Sequence, residues 1–270
     1  MRIPRLRVWL FTLLLAALPT VVQASPWFKE PFSADLVMIS PDATQPNIVF
    51  KVNVGQPGNL RLSNTKGGKG EVVIISRQGV WTVFPAKKEY FDGVPRIYVS
   101  MVQPDMVSMP GEDDNPCTRD PKTKCKKEGE ETLSGIFAEK WQLTSTLTEG
   151  KTYTSTIWSD PKRHIILKVQ TTQGVLMTRT LLGKEKVAGR ETEQWRIMQM
   201  HKDKAVTRNQ WVDPTLGLVM RVDVDGATRV RMENVKVGGQ NADLFQPPKD
   251  FKKVATPAPP KQTPDASSKQ

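Results

Sequence analysis

A repeat in the second half of the chain does most to limit what it can fold into. Gly129-Glu-Glu-Thr-Leu-Ser-Gly135 is echoed by Gly183-Lys-Glu-Lys-Val-Ala-Gly189, and each block is followed six residues later by a tryptophan, Trp141 and Trp195. Thr156-Ile-Trp-Ser-Asp-Pro161 matches Asn209-Gln-Trp-Val-Asp-Pro214, and Ile165-Ile-Leu-Lys-Val169 matches Leu218-Val-Met-Arg-Val222. The offset is 54 residues at the first tryptophan pair and 53 at the later matches. A period of this size marks a supersecondary unit that cannot bury its apolar side alone and stacks on its neighbour. Each unit, 129–182 and 183–235, reads as strand, turn, strand, Asp-Pro turn, strand.

The first half reads the same way. Ile48-Val-Phe-Lys-Val-Asn-Val54 alternates, with Ile48, Phe50, Val52 and Val54 on one face. Asn59–Asn64, Glu71–Ser76 and Val80–Phe84 are further β-rich runs, punctuated by Gly67-Gly-Lys-Gly70 and Gln78-Gly79. Only Pro95–Met109 reads as a short helix, broken at Pro104. Strands joined in order by short turns predict a mainly β fold: one antiparallel, curved sheet of about ten or eleven strands with one or two short helices. With 38% apolar and 25% charged residues the chain has the makings of a folded core. Ala255–Gln270, rich in Pro, Lys, Ser and Thr, reads as a disordered tail.

The start of the chain is an address. Three arginines in Met1–Arg7 precede a nearly all-apolar Val8–Val22, and Val22-Gln23-Ala24 places small residues where a signal peptidase reads. Residues 1–24 therefore read as a signal peptide, with cleavage between Ala24 and Ser25. No later stretch is apolar over the ~18–20 residues that a spanning helix needs. No cysteine lies near the cleavage point, so the expectation is a soluble periplasmic protein rather than a lipoprotein. Cys117 and Cys125, in a polar, turn-rich stretch, are expected to close a local disulfide in that oxidising compartment.

Phe32-Ser-Ala-Asp35, Arg77-Gln-Gly-Val-Trp-Thr-Val-Phe-Pro-Ala-Lys-Lys-Glu-Tyr90, the two Gly-x-Glu-x-x-x-Gly blocks, the Trp-x-Asp-Pro turns and Asp243-Leu-Phe-Gln-Pro-Pro-Lys-Asp-Phe251 together form a pattern. The pattern resembles the outer-membrane lipoprotein-sorting (LolA/LolB-like) superfamily, and most closely its uncharacterised periplasmic members. The resemblance implies an unclosed half-barrel over residues 25–254, with an apolar concave face lidded by helices and open to acyl chains.

Chemistry finds few candidates. His164 follows an Asp-Pro turn and His201 ends a strand, and both read as surface or structural histidines. No serine sits in a nucleophile elbow and no glycine-rich loop cradles a phosphate. The short run Glu112-Asp-Asp114 and the pair Asp223 and Asp225 read as solvated, without the alternating ligands of a calcium loop. The chain is therefore expected to be no enzyme and to hold no metal and no cofactor. An apolar cavity is expected at Phe50, Val52, Ile74, Phe84, Leu143, Ile197, Met220 and Val222, with Met101, Met106 and Met109 as lid residues. Trp141, Trp158, Trp195 and Trp211 recur with the repeat and are expected to pack it.

A net charge of +11 spread along the chain keeps it soluble and leaves room for contact with an anionic membrane surface or an envelope protein. No nucleic-acid module is present. The predicted function is sequestration of a lipid or an acylated lipoprotein, with transport toward the outer membrane as its use. The competing reading is a ligand-free structural or sensory interaction protein of the envelope.

Overall fold

The computed structural model describes residues 28–55, 59–66, 70–76, 78–93, 117, 122–146, 151–172, 174–201 and 204–256. Its strands are β1 (Phe32–Met38), β2 (Ile48–Val54), β3 (Leu60–Lys66), β4 (Val72–Ser76), β5 (Gly79–Phe84), β6 (Glu89–Asp92), β7 (Thr123–Leu133) and β8 (Ile136–Thr146). They continue as β9 (Thr152–Asp160), β10 (Ile165–Thr171), β11 (Gly174–Val187), β12 (Arg190–His201), β13 (Lys204–Asp213), β14 (Leu218–Val224), β15 (Ala227–Val237) and β16 (Lys252–Lys253). All sixteen join one sheet, in the order β16-β6-β5-β4-β3-β2-β1-β15-β14-β13-β12-β11-β10-β9-β8-β7. Two meanders, β1–β6 and β7–β15, are thus zipped together where β1 pairs with β15.

The class is the expected one, a single unclosed and mostly antiparallel sheet. The strands exceed the ten or eleven read from sequence because several carry no apolar alternation. β7, TKCKKEGEETL, is held as an edge by its ladder to β8, from Thr123↔Ser145 to Leu133↔Ile136. Pro85–Lys87 and Ala242–Phe245 are short 3-10 helices, and Cys117 is a lone described helical residue. The stretch read as a helix, 95–109, lies outside the described residues.

Each face of the first meander has its own core. One face carries Phe32, Ala34, Leu36, Phe50, Val52, Val54, Leu60, Leu62 and Val73, packed with Phe28, Leu216, Leu218, Met220 and Met232. The other carries Val72, Ile74 and Val83 against Phe245, with Trp81, Tyr90, Leu244 and Phe251 alongside. The segment 241–254 makes that second core. Asn241 accepts from the amide of Asp243 to start the turn, and Phe245 then lies on the sheet. Gly55 makes room for it, since a Cβ there would meet the Phe245 ring at 2.3 Å. The segment ends as β16, parallel to β6, with Val254 N–H donating to the Tyr90 carbonyl at 2.8 Å.

The second meander has a separate cluster of Ala138, Trp158, Ile165, Leu167 and Trp195. Its two blocks use matching side chains. Trp158 donates its ring N–H to Glu131 and lies under Lys168, whose Nζ is 4.2 Å from the ring centre. Trp211 donates to Glu185 at 2.8 Å and lies under Arg221, also at 4.2 Å.

Candidate functional site

The clearest candidate site lies at one end of the larger core. Met38 and Ile48 are paired across β1 and β2 and pack against the cluster beneath them. With Ile39, Ser40, Pro41, Gln45 and Pro46 they line a half-open pocket of about 300 Å³. That is at the lower end of the roughly 300–1,000 Å³ of small-molecule pockets. The loop that forms its wall is set by local polar bonds. Ser40 N–H donates to Asn47 Oδ1 at 3.2 Å, and the Thr44 amide and hydroxyl donate to Asp42 Oδ1 at 2.9 and 2.7 Å. Those bonds from Thr44 hold the Asp42 carboxyl below its usual pKa.

The expected cavity residues divide between this site and other places. Phe50, Val52 and Met220 sit in the core below the pocket, and Phe50 is paired with Leu36, itself paired with Met232. Val222 is half-buried and pairs with Val230, which packs on the same cluster. Ile74 lies on the opposite face, under Phe245, because alternation on β4 puts Val73 on the first face and Ile74 on the second. Phe84 is half-buried, 5.8 Å from Phe91 near the β6 edge. Leu143, on β8, pairs with Cys125 and Ser155, far along the sheet. Ile197 is buried between the paired positions Arg179 and Arg208.

The sequence reading did not single out Met38, Ile39, Pro41 and Pro46. Two prolines bracketing a polar loop between alternating strands were the available signal. Met101, Met106, Met109, Glu112, Asp113, Asp114, Ala24 and Ser25 lie outside the described residues. Cys117 and Cys125 form a disulfide.

A smaller cavity, about 50 Å³, lies at the other end of the second meander, between Arg163, Arg179, Glu193, Trp195 and Lys29. Arg163 binds Glu193 through two nitrogens, at 3.0 and 3.1 Å, and Asp160 at 2.7 Å. The Glu193 bonds, assisted by Asp160, raise the pKa of its guanidinium further above the usual value. His164 follows with a left-handed backbone, φ 56°, and donates its amide to the Asp160 carbonyl at 2.9 Å. Asp223 is buried against Arg221, whose guanidinium holds the carboxyl below its usual pKa. Among the described residues no three His, Cys, Asp or Glu side chains stand together as a metal site.

No family model matches the chain, and no curated protein matches it. Similar solved structures include a LolA superfamily protein from Nitrosomonas europaea, 13% identical, with 81% of this chain and 90% of that one covered at a TM-score of 0.37. A DUF1329 family protein from Desulfovibrio piger is 13% identical over 81% and 90% of the two chains, TM-score 0.36. A domain from Vibrio parahaemolyticus described as outer membrane lipoprotein-sorting is 13% identical over 83% and 91%, TM-score 0.34.

Proposed function

We propose that this chain is an exported, non-catalytic binding protein of the periplasm that takes a hydrophobic ligand, a lipid or the acyl chains of a lipoprotein. The observation that supports this reading is the apolar pocket over Met38 and Ile48, set on the largest core cluster. Its walls are aliphatic or proline apart from Ser40 and Gln45. Burial of an alkyl chain there yields roughly 25 cal/mol for each Å² removed from water, without a charged anchor. Phe50, Val52 and Met220 belong to the core cluster against which Met38 and Ile48 pack, and in this reading that cluster gives way to admit the ligand. Transport toward the outer membrane is the use such sequestration would serve. Export rests on the leader-like residues 1–24.

The second reading, a ligand-free envelope scaffold, also has an observation behind it. Phe32, Val52, Leu216, Leu218 and Met220 are fully buried, so much of the apolar face is already satisfied by the protein's own side chains. Titration with cis-parinaric acid separates the two. The binding reading expects saturable fluorescence, weakened by about tenfold or more in Ile39→Glu, which sets a charge in the pocket wall. A scaffold gives no saturable signal, and an Ile39→Glu affinity equal to that of the parent chain removes the pocket from the account.

A further inference from the structure

The sheet has two outer strands, and they are finished differently. At one, the chain returns as β16, parallel to β6. Lys252 N–H donates to the Lys88 carbonyl at 2.9 Å, Val254 N–H to the Tyr90 carbonyl at 2.8 Å, and Lys253 pairs with Asp92 at 2.6 Å. At the other, β7 runs for eleven residues with β8 on one side and, among the described residues, no strand on the other. A long outer strand presents a row of backbone N–H and C=O groups, which is a template for pairing with another chain.

Charge of one sign, lysine above all, keeps such edges apart. The charges of β7 are instead divided end to end: Lys124, Lys126 and Lys127 precede Glu128, Glu130 and Glu131, all exposed. The strand is therefore complementary to itself when reversed. The register shift between Lys127 and Gly129 decides which side chains share a face. Lys124, Lys126, Gly129 and Glu131 pair with Thr144, Gln142, Lys140 and Ala138, alternate positions of β8, and so point the same way. Turned end for end, the strand sets Lys124 opposite Glu131 and Lys126 opposite Gly129, where the space over the backbone is open. Lys126 is then diagonal to the same Glu131, within reach of a long side chain. Lys127 and Glu130 already pair within the chain at 2.8 Å, and alternation turns Cys125, with its bridge to Cys117, to their face. The match rests on the other face. There Glu131 accepts from the Trp158 ring N–H at one oxygen, and a carboxylate has further acceptor positions. A parallel pairing in register sets lysine against lysine and glutamate against glutamate, which is destabilising.

We propose that β7 pairs antiparallel with β7 of a second copy of this chain, Lys124 of each opposite Glu131 of the other, so that the two sheets run on as one across a two-fold axis. One strand from each copy makes a small contact, so the dimer is reversible rather than permanent. The pairing does not need the pocket to be filled.

Sedimentation equilibrium tests it, using the full chain expressed with its own leader and purified after export. The expected result is a concentration-dependent equilibrium of monomer and dimer that weakens with added salt. Lys124→Glu with Lys126→Glu should weaken dimerisation by about tenfold or more, because it sets carboxylates opposite Glu131. Glu131→Lys should weaken it similarly by setting ammonium groups opposite Lys124. An equimolar mixture of the two variants restores opposite charges at every pair and should dimerise as the parent does. The chain carrying all three changes should pair with itself again. Urea unfolding of each variant reports that the fold is intact. A parent chain that stays monomeric, or a Lys124→Glu, Lys126→Glu variant that dimerises as strongly as the parent, overturns the pairing. So does a mixture of folded variants that dimerises no better than either alone. Each of these leaves the pocket reading untouched.

Discussion

The two rims of the second meander are built from the turns of the same strands and treated in opposite ways. At one rim two of the turns, β9–β10 and β13–β14, are locked by buried aspartates. Asp160 accepts the amides of Lys162 and Arg163 at 2.9 and 3.1 Å and pairs with the Arg163 side chain. Asp213, one repeat later, accepts the amides of Thr215 and Leu216 at 2.8 and 3.1 Å and pairs with Arg190. Both aspartates are buried, at most 2% exposed as whole residues. At the other rim the strand ends beside three of the turns carry exposed Met198, Met200, Val206, Val175 and Tyr153. One rim turns its polar groups inward and holds the fold. The other leaves apolar groups outward and is available for contact.

That contrast can be broken in order of size. Asp213→Ala removes two amide acceptors and strands Arg190 beside a buried site, so it should cost about 3 kcal/mol in urea unfolding. A loss below about 1 kcal/mol would show that the turn does not depend on its aspartate. Asp160→Ala should cost less, about 2 kcal/mol, because Arg163 keeps Glu193.

Acid sharpens the comparison along β14. The Asp223 carboxyl is held below its usual pKa first by the Arg221 hydrogen bond. It binds a proton less readily folded than unfolded, so its contribution is complete above the ordinary carboxylate range near 4 and lost as pH falls through the lower folded value. Asp223→Asn should therefore destabilise by about 1 kcal/mol at neutral pH and flatten the acid limb of the stability curve. An unchanged acid limb would contradict this pairing. At the contact rim, Met198→Ser and Met200→Ser should each change unfolding free energy by no more than about 0.5 kcal/mol. A larger loss would mean that these side chains pack in the fold rather than face outward.

Much of the fold was legible because alternation was. β2 spans the seven residues Ile48–Val54 that alternate in sequence, and the Asp-Pro turns announced both locked hairpin ends. The strands that escaped, such as β7 and β16, are lysine- and glutamate-rich edges whose pairing comes from a neighbour rather than from their own pattern. None of the eight residues expected to form a cavity lines the pocket, although three of them share its supporting core. The period of two put Phe50 and Val52 on one face, and they and Met220 are buried in the core cluster on that face. Ile74 read as cavity because Val72-Val-Ile-Ile is apolar throughout, and a continuous apolar run does not say which face is covered by which partner. Its cover, Phe245, comes from a segment 171 residues away along the chain. The pocket wall depends on loop geometry between Ser40 and Asn47, which no periodicity encodes.

The central claim is that the apolar face takes a hydrophobic ligand at the Met38–Ile48 end. Native mass spectrometry of the protein purified after export, with lipid extraction of the same sample, tests it most directly. The account predicts an added mass that extracts as phospholipid or acyl lipid and is reduced in Ile39→Glu. A bare polypeptide mass that stays bare after incubation with lipid or acylated peptide would contradict it and leave the sheet as a scaffold.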